Sequence, residues 1–313
     1  MNYTIMQGDN RDTLKTLEDN SIDAIVTDPP YGIDFLGKAW DANTGALETY
    51  RECLRVLKPG GHILAFSAAR TYHHLAVTLE QAGFEIRDQL MWLYSSGFPK
   101  AHDIGKAIEK RGIENNLEGW KTALKPAHEP IAMARKPFKG STVDNVLAHG
   151  VGALNIDATR IPHEVADRFP SNVIGLVEGY QKFFYCPKVS RKERHIGFDT
   201  TVIPTNPNGI LQDRYDSGMQ TGMYQDAKEN AGNNHPTVKP VELMKYLIKL
   251  VTPPNSTVLD PFNGSGSTGM AAVELGHTYI GCELDPNYVE IAKKRIEAWN
   301  TVDVDNNFGE LFE

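Results

Sequence analysis

The residues best suited to chemistry fall in two constellations. The first, Thr27-Asp28-Pro29-Pro30-Tyr31-Gly32, follows the apolar run from Ile22 to Val26. Such a run, stopped by two prolines and a glycine, reads as a buried strand emptying into a stiffened loop that holds a carboxylate and an aromatic ring. A plain strand-ending turn explains Asp-Pro-Pro equally well. The second constellation, Gly264-x-Gly266-x-x-Gly269, follows the strand-like Thr257 to Asp260, and Glu283 ends the next strand. Glycines let a loop backbone and a helix N-terminus approach a ligand closely, while a carboxylate at the neighbouring strand end accepts both hydroxyls of a ribose. This spacing fits NAD, FAD or S-adenosylmethionine, and a ligand-free strand-to-helix turn also satisfies it.

The elements that must position these groups alternate. Tyr3 to Asp9 reads as a strand whose last carboxylate, Asp9, faces the same sheet edge as Asp28. Leu47, Tyr50, Leu54 and Leu57 recur at helical spacing, and Lys58-Pro59-Gly60-Gly61 reads as the stop before a strand from His62 to Phe66. A helix through Tyr72, Leu75 and Leu79 ends at Gly83, strands follow over 84–94 and 128–134, and a short polar helix is expected around 104–110. Residues 137–234 show no sustained period and read as an insertion, with mobility expected from Pro204 to Asn234. Regular structure resumes with a helix whose face is Met244, Leu247, Ile248 and Val251, and Asp285-Pro286 opens a last helix ending near Trp299. The expectation is an α/β fold, a doubly wound and mostly parallel sheet.

Composition narrows the classes. The 313 residues carry 41% hydrophobic and 23% charged side chains with a net charge of −8, which argues against a protein that coats nucleic acid non-specifically. No apolar run has membrane-spanning length and Met1 to Met6 lack the profile of a secretory signal, so a cytoplasmic protein is expected. Cys53, Cys186 and Cys282 are far apart and read as free thiols, and no His-Glu-x-x-His supports a metal.

Taken jointly, the motifs resemble those of the β-class DNA amino-methyltransferases, an S-adenosylmethionine-dependent family that acts on adenine N6 or cytosine N4. Asp28-Pro29-Pro30-Tyr31 is similar to their catalytic motif, Asp260 to Thr268 to their cofactor loop, and His235-Pro236-Thr237-Val238-Lys239-Pro240 to the motif before it. The order, catalytic motif first and cofactor loop last around a long insertion, is the circular arrangement of that class. Ser96 to Lys100, His128-Glu129-Pro130, Arg168 to Asn172 and Phe183 to Lys188 further resemble site-specific methylases of phages and prophages. Asn263 and Ser267 depart from the usual Ala and Thr without adding bulk or charge.

The resemblance implies a catalytic half over 1–136, an inserted target-recognition region over 137–234, a cofactor half over 235–300 and an acidic tail over 301–313. It implies catalysis by Asp28, Pro29, Pro30 and Tyr31: acceptors that draw on the amine, and a ring that stacks on a base flipped out of double-stranded DNA. S-adenosylmethionine would be held by Asp9, Thr237, Lys239, Asp260, Phe262, Gly264, Gly266 and Glu283, with Thr237 and Lys239 as candidates for its carboxylate and Lys239 equally readable as a solvated residue at a helix start. Lys188, Arg191, Lys192 and Arg194 would meet DNA phosphates, although a short basic run is also an ordinary solvated face. Aspartate as the first motif residue favours adenine N6; cytosine N4 methylation and a non-catalytic DNA-binding protein of the same fold are the alternatives. A homodimer, a restriction-endonuclease partner and a docking role for Gly309 to Phe312 stay open.

Overall fold

The computed structural model describes residues 2–33, 44–94, 101–161, 167–175, 188–199 and 232–301. In chain order these form β1 (Tyr3–Gln7), α1 (Asn10–Thr13), β2 (Ile22–Thr27), α2 (Leu47–Val56), β3 (Leu57–Phe66), α3 (Tyr72–Ala82), β4 (Glu85–Leu93) and α4 (Ile104–Glu109). There follow β5 (His128–Arg135), α5 (Thr142–His149), β6 (Val173–Ile174), α6 (Arg191–Arg194), α7 (Val241–Val251), β7 (Thr257–Asp260), α8 (Ser267–Glu274), β8 (Thr278–Glu283) and α9 (Pro286–Thr301). Eight strands join in the order β1-β8-β7-β2-β3-β5-β4-β6. Every pairing is parallel except those of β5, which runs antiparallel to both β3 and β4.

The apolar run of β2 is continuous because both of its faces are covered. Val26, Leu64 and Phe66 pack with Met244 and Leu247 of α7 and Ile296 of α9, whereas Ile25, Ile63 and Ala65 pack with Tyr50 and Cys53 of α2 and Leu75 of α3. Asp23 is tolerated within the run because Lys58 and the Thr257 amide hold its two oxygens, at 2.6 and 2.7 Å. From β2 the chain proceeds to β3 on one side, and from β7 to β8 on the other. The β2–β7 pair is therefore the topological switch point, with a crevice beyond its carboxyl ends. There Thr27 Oγ1 donates to Asp260 Oδ1 at 2.7 Å and ties the two halves together.

Three sequence expectations change. Lys58-Pro59-Gly60-Gly61 does not precede the strand but lies within it: Ile22 pairs with Leu57 and Ala24 with His62, so the extra residues form an irregularity. Gly60, at φ 81°, is required there, since a Cβ would meet Asn145 Nδ2 at 2.2 Å. Helix α5 lies in the stretch read as aperiodic. Its one buried residue is Asn145, while Val143 and Leu147 are 67% and 81% exposed, so it has no apolar stripe to betray it. Its sequence signal is the cap, Ser141 Oγ accepting from the Asp144 amide at 3.1 Å.

The third concerns the basic run. Helix α6 braces the site rather than lying apart from it. Glu193 Oε1 accepts from the Val241 amide at 2.7 Å and caps α7, and Arg194 donates to the His235 carbonyl at 2.7 Å. Arg295, fully buried, reaches the Glu193 carbonyl at 3.3 Å and the Ser265 carbonyl at 2.6 Å. Burial pushes the Glu193 carboxyl up to about 7 and the Arg295 guanidinium down to about 10.

Two pairs of substitutions test this packing. Asn145 Nδ2 bridges the carbonyls of Pro59 and Val151, so Asn145→Ala is expected to cost ~1–3 kcal/mol in chemical denaturation. Leu147→Ala on the exposed face is expected to stay within ~0.5 kcal/mol. The reverse order contradicts the assignment of faces. Arg194→Ala is expected to lower the melting temperature, and Lys192→Ala, on the exposed side of α6, to leave it unchanged.

Candidate active site

One cavity of about 1700 Å3 opens at the switch point. Asp9, Phe262 and Glu283 line one end, and Asp28, Tyr31, Trp92 and Glu129 the other. Asp28 follows β2 directly, and Pro29 beside it is buried. Its Oδ2 accepts from Lys239 Nζ at 2.5 Å and its Oδ1 from Tyr31 Oη at 2.8 Å. The same two donors face Glu129, whose Oε2 lies 2.9 Å from Tyr31 Oη and 3.5 Å from Lys239 Nζ. Lys188 approaches Glu129 Oε1 at 3.6 Å and sits over the Tyr94 ring at 3.9 Å.

Two carboxylates thus share one buried ammonium and one phenol. Burial raises the Asp28 carboxyl, and Lys239 only partly offsets it. Burial also opposes Glu129, but Lys239 and Lys188 outweigh it and hold that carboxyl below its usual range. Burial drives the Tyr31 phenol well above its ordinary value, and Asp28 and Glu129 add to the effect. Lys239 stays charged despite burial because Asp28 and Glu129 face it. Lys239, read from sequence as a candidate for a cofactor carboxylate or as a solvated residue, is buried here with its ammonium on Asp28 and facing Glu129. Glu129 escaped notice as a site residue, although His128-Glu129-Pro130 carries the signal: a carboxylate where a strand begins.

At the other end, Glu283 ends β8. Its oxygens accept from the amides of Gly264 and Asp285 at 2.8 and 2.9 Å, and burial pushes its carboxyl up to about 7 against those hydrogen bonds. Asp9 caps α1 and pairs with Arg11. Asp260 is internally satisfied by Thr27, Thr268 and the Phe262 amide, with burial raising it to about 6. Phe262 rests against Tyr50, with ring centroids 6.3 Å apart. Gly264 and Gly266 have positive φ, and a Cβ on either would strike protein, the His235 ring at 2.8 Å or Ala292 at 3.0 Å. His235, neutral because burial lowers it to about 3, is bonded to the Thr237 carbonyl, and Thr237 lines the cavity. Asn263 turns inward to accept from Tyr279 Oη at 2.7 Å, so its departure from the usual alanine is absorbed by the core.

The four cations assigned to DNA separate in space. Arg191 and Lys192 are exposed on α6, Arg194 is half-buried on the His235 carbonyl, and Lys188 lines the cavity. Pro30, half-buried, lines the cavity beside Tyr31. The aromatics Phe183 to Tyr185, Cys186, the motif Ser96 to Lys100, most of Pro204 to Asn234 and the tail from Asp303 lie outside the described residues. Cys53 and Cys282 are buried free thiols. Among the described residues no helix is long and apolar enough to cross a membrane.

Comparison with known proteins agrees with this geometry. A family model described as DNA methylase, of the N6/N4 type, matches residues 22–294. The type II methyltransferase M.HindIII of Haemophilus influenzae is 30% identical over 90% of this chain and 91% of its own. The DNA adenine methyltransferase YhdJ of Escherichia coli is 26% identical over 94% of this chain and 82% of its own. In fold, the chain is similar to the crystal structure of the M1.HpyAVI–SAM complex, with a TM-score of 0.52 at 21% identity, covering 94% of this chain and 99% of that one. With most of its length matched by that family model and by a full-length relative, the chain belongs to the DNA methylase family of N6/N4 amino-methyltransferases.

Proposed function

We propose that this enzyme transfers a methyl group from S-adenosylmethionine to N6 of a specific adenine in double-stranded DNA. The observation that carries the reading is one cavity with Asp28 at one end and Glu283 at the other, on neighbouring sides of the switch point. The residues present fit the cofactor. A carboxylate offers about four lone-pair sites, so Glu283 keeps capacity for ribose hydroxyls beyond its two backbone bonds. Phe262 supplies an apolar wall, and Thr237 is the remaining candidate for the methionine carboxylate once Lys239 is engaged elsewhere. When bound, S-adenosylmethionine supplies an electrophilic methyl group.

The amino group of adenine is a poor nucleophile, because its lone pair is delocalised into the ring. Asp28 and the Pro29 carbonyl would accept its two hydrogens and draw the lone pair out, so that catalysis is alignment and electrostatics without a covalent enzyme intermediate. The nitrogen that gains a methyl must shed a proton, and burial makes Asp28 a better acceptor for it than an exposed aspartate. The target base leaves the stack to enter the cavity, and the Tyr31 ring offsets part of that cost. Aspartate at position 28, together with a relative named as an adenine enzyme, supports adenine as the target. Residues 137–234 are assigned to target recognition, with Arg191 and Lys192 toward phosphate.

Single-molecule sequencing of plasmid DNA from a methylation-free host expressing this chain is expected to show N6-methyladenine at one recurring sequence. N4-methylcytosine transfers the reading to cytosine, and unmodified DNA overturns it. Asp28→Ala is expected to lower kcat by at least ~10²-fold while calorimetric cofactor affinity is retained. Tyr31→Ala is expected to lose more kcat/KM than Tyr31→Phe, by the ~1–3 kcal/mol of one stacked base; equal losses contradict the stacking role. Ribose hydroxyls donate to the ionised form of Glu283, so cofactor affinity is expected to be full above about 7 and to fall as pH drops through that value. Glu283→Gln is expected to remove that dependence, and a dependence unchanged in the variant places it elsewhere.

A further inference from the structure

The antiparallel course of β5 has a chemical consequence. The parallel strands deliver their carboxyl ends to the switch-point edge, whereas β5 delivers its amino end there, as the Ser67 amide bonding to the Pro130 carbonyl at 2.9 Å shows. That reversal brings Glu129 against the residues after β2. Glu129 and Asp28 then compete for the same donors. Tyr31 Oη has a single proton and lies 2.8 Å from Asp28 and 2.9 Å from Glu129, so it donates to one of them at a time. Lys239 Nζ lies on Asp28 at 2.5 Å, with Glu129 at 3.5 Å.

This arrangement poses a conflict for methyl transfer. The target amine needs Asp28 as a negative acceptor, yet an ammonium in contact neutralises it. Lys239 is 6% exposed, so it cannot withdraw into water, and an uncompensated buried ammonium is prohibitively costly. A second carboxylate within about an ångström of its present contact removes the conflict.

We propose that Glu129 is a positioning residue that receives the Lys239 ammonium and the Tyr31 proton when the target amino group arrives, leaving Asp28 to the amine. Lys188 at 3.6 Å, with the Tyr94 ring beneath it, keeps Glu129 ionised and ready for this role. Lys239 needs only a small shift, because the Tyr31 and Phe66 rings flank it with centroids 5.3 and 5.0 Å away. The inference rests on Asp28 being the acceptor for the target amine.

The test compares two variants of the full chain under saturating DNA and cofactor. Glu129→Gln keeps shape and the hydrogen bond to Tyr31 but removes the charge that accepts Lys239. It is expected to lower kcat by ~10²-fold, with KM for both substrates within ~3-fold. Glu129→Asp keeps the charge on a shorter arm and is expected to retain more kcat than Glu129→Gln. A glutamine variant more active than the aspartate variant, kcat within ~3-fold of the parent in both, or failure of both to fold assigns Glu129 to packing and overturns the proposal. Turnover by the parent tests methyl transfer on its own, so N4-methylcytosine from the parent unseats adenine and leaves the order of the variants readable. An inactive parent overturns both.

Discussion

The structure turns on one buried ammonium. Lys239, just ahead of α7, is held by Asp28 after β2 and faced by Glu129 at the start of β5, so three distant segments must meet before its charge is compensated. Losing one partner of such a buried pair costs ~3–5 kcal/mol, enough to couple the geometry of the site to the integrity of the fold. The braces around it follow from that demand. Glu193 caps α7, Arg194 holds the His235 carbonyl, and Arg295 ties α6 to the glycine loop.

Topology supplies the rest. The motif that opens the chain and the loop that lies near its end are 232 positions apart from Asp28 to Asp260, yet β2 and β7 are neighbours and Thr27 bonds Asp260 across them. A parallel sheet wound in two directions leaves a crevice at that pair, so Asp28 and Glu283 open onto one cavity without further specialisation. The reversed strand then adds a second carboxylate that an all-parallel sheet would have delivered to the opposite edge.

Much of this was legible because it is written in local pattern. The buried run of β2, the glycine after α3, the cap at Asp285 and the strand–glycine–helix unit around Gly264 all have short-range causes. What escaped lacks a local cause. Helix α5 buries a single asparagine, so no hydrophobic period marks it, and Lys58 to Gly61 look like a terminator until Asn145 is seen to occupy the space that Gly60 leaves. Arg194 resembles its exposed neighbours in sequence, and only the fold turns it inward. Lys239 and Glu129 were read apart because a buried ion pair 110 positions long leaves no trace in spacing.

The most direct measurement is a crystal structure of the enzyme with its target duplex and a non-reactive analogue of S-adenosylmethionine. The result expected is the target amino nitrogen within hydrogen-bond reach of Asp28 and the Pro29 carbonyl, the base against Tyr31, and Lys239 moved onto Glu129. Lys239 still seated on Asp28, with the target amine bonded elsewhere, would contradict the central role given to that carboxylate.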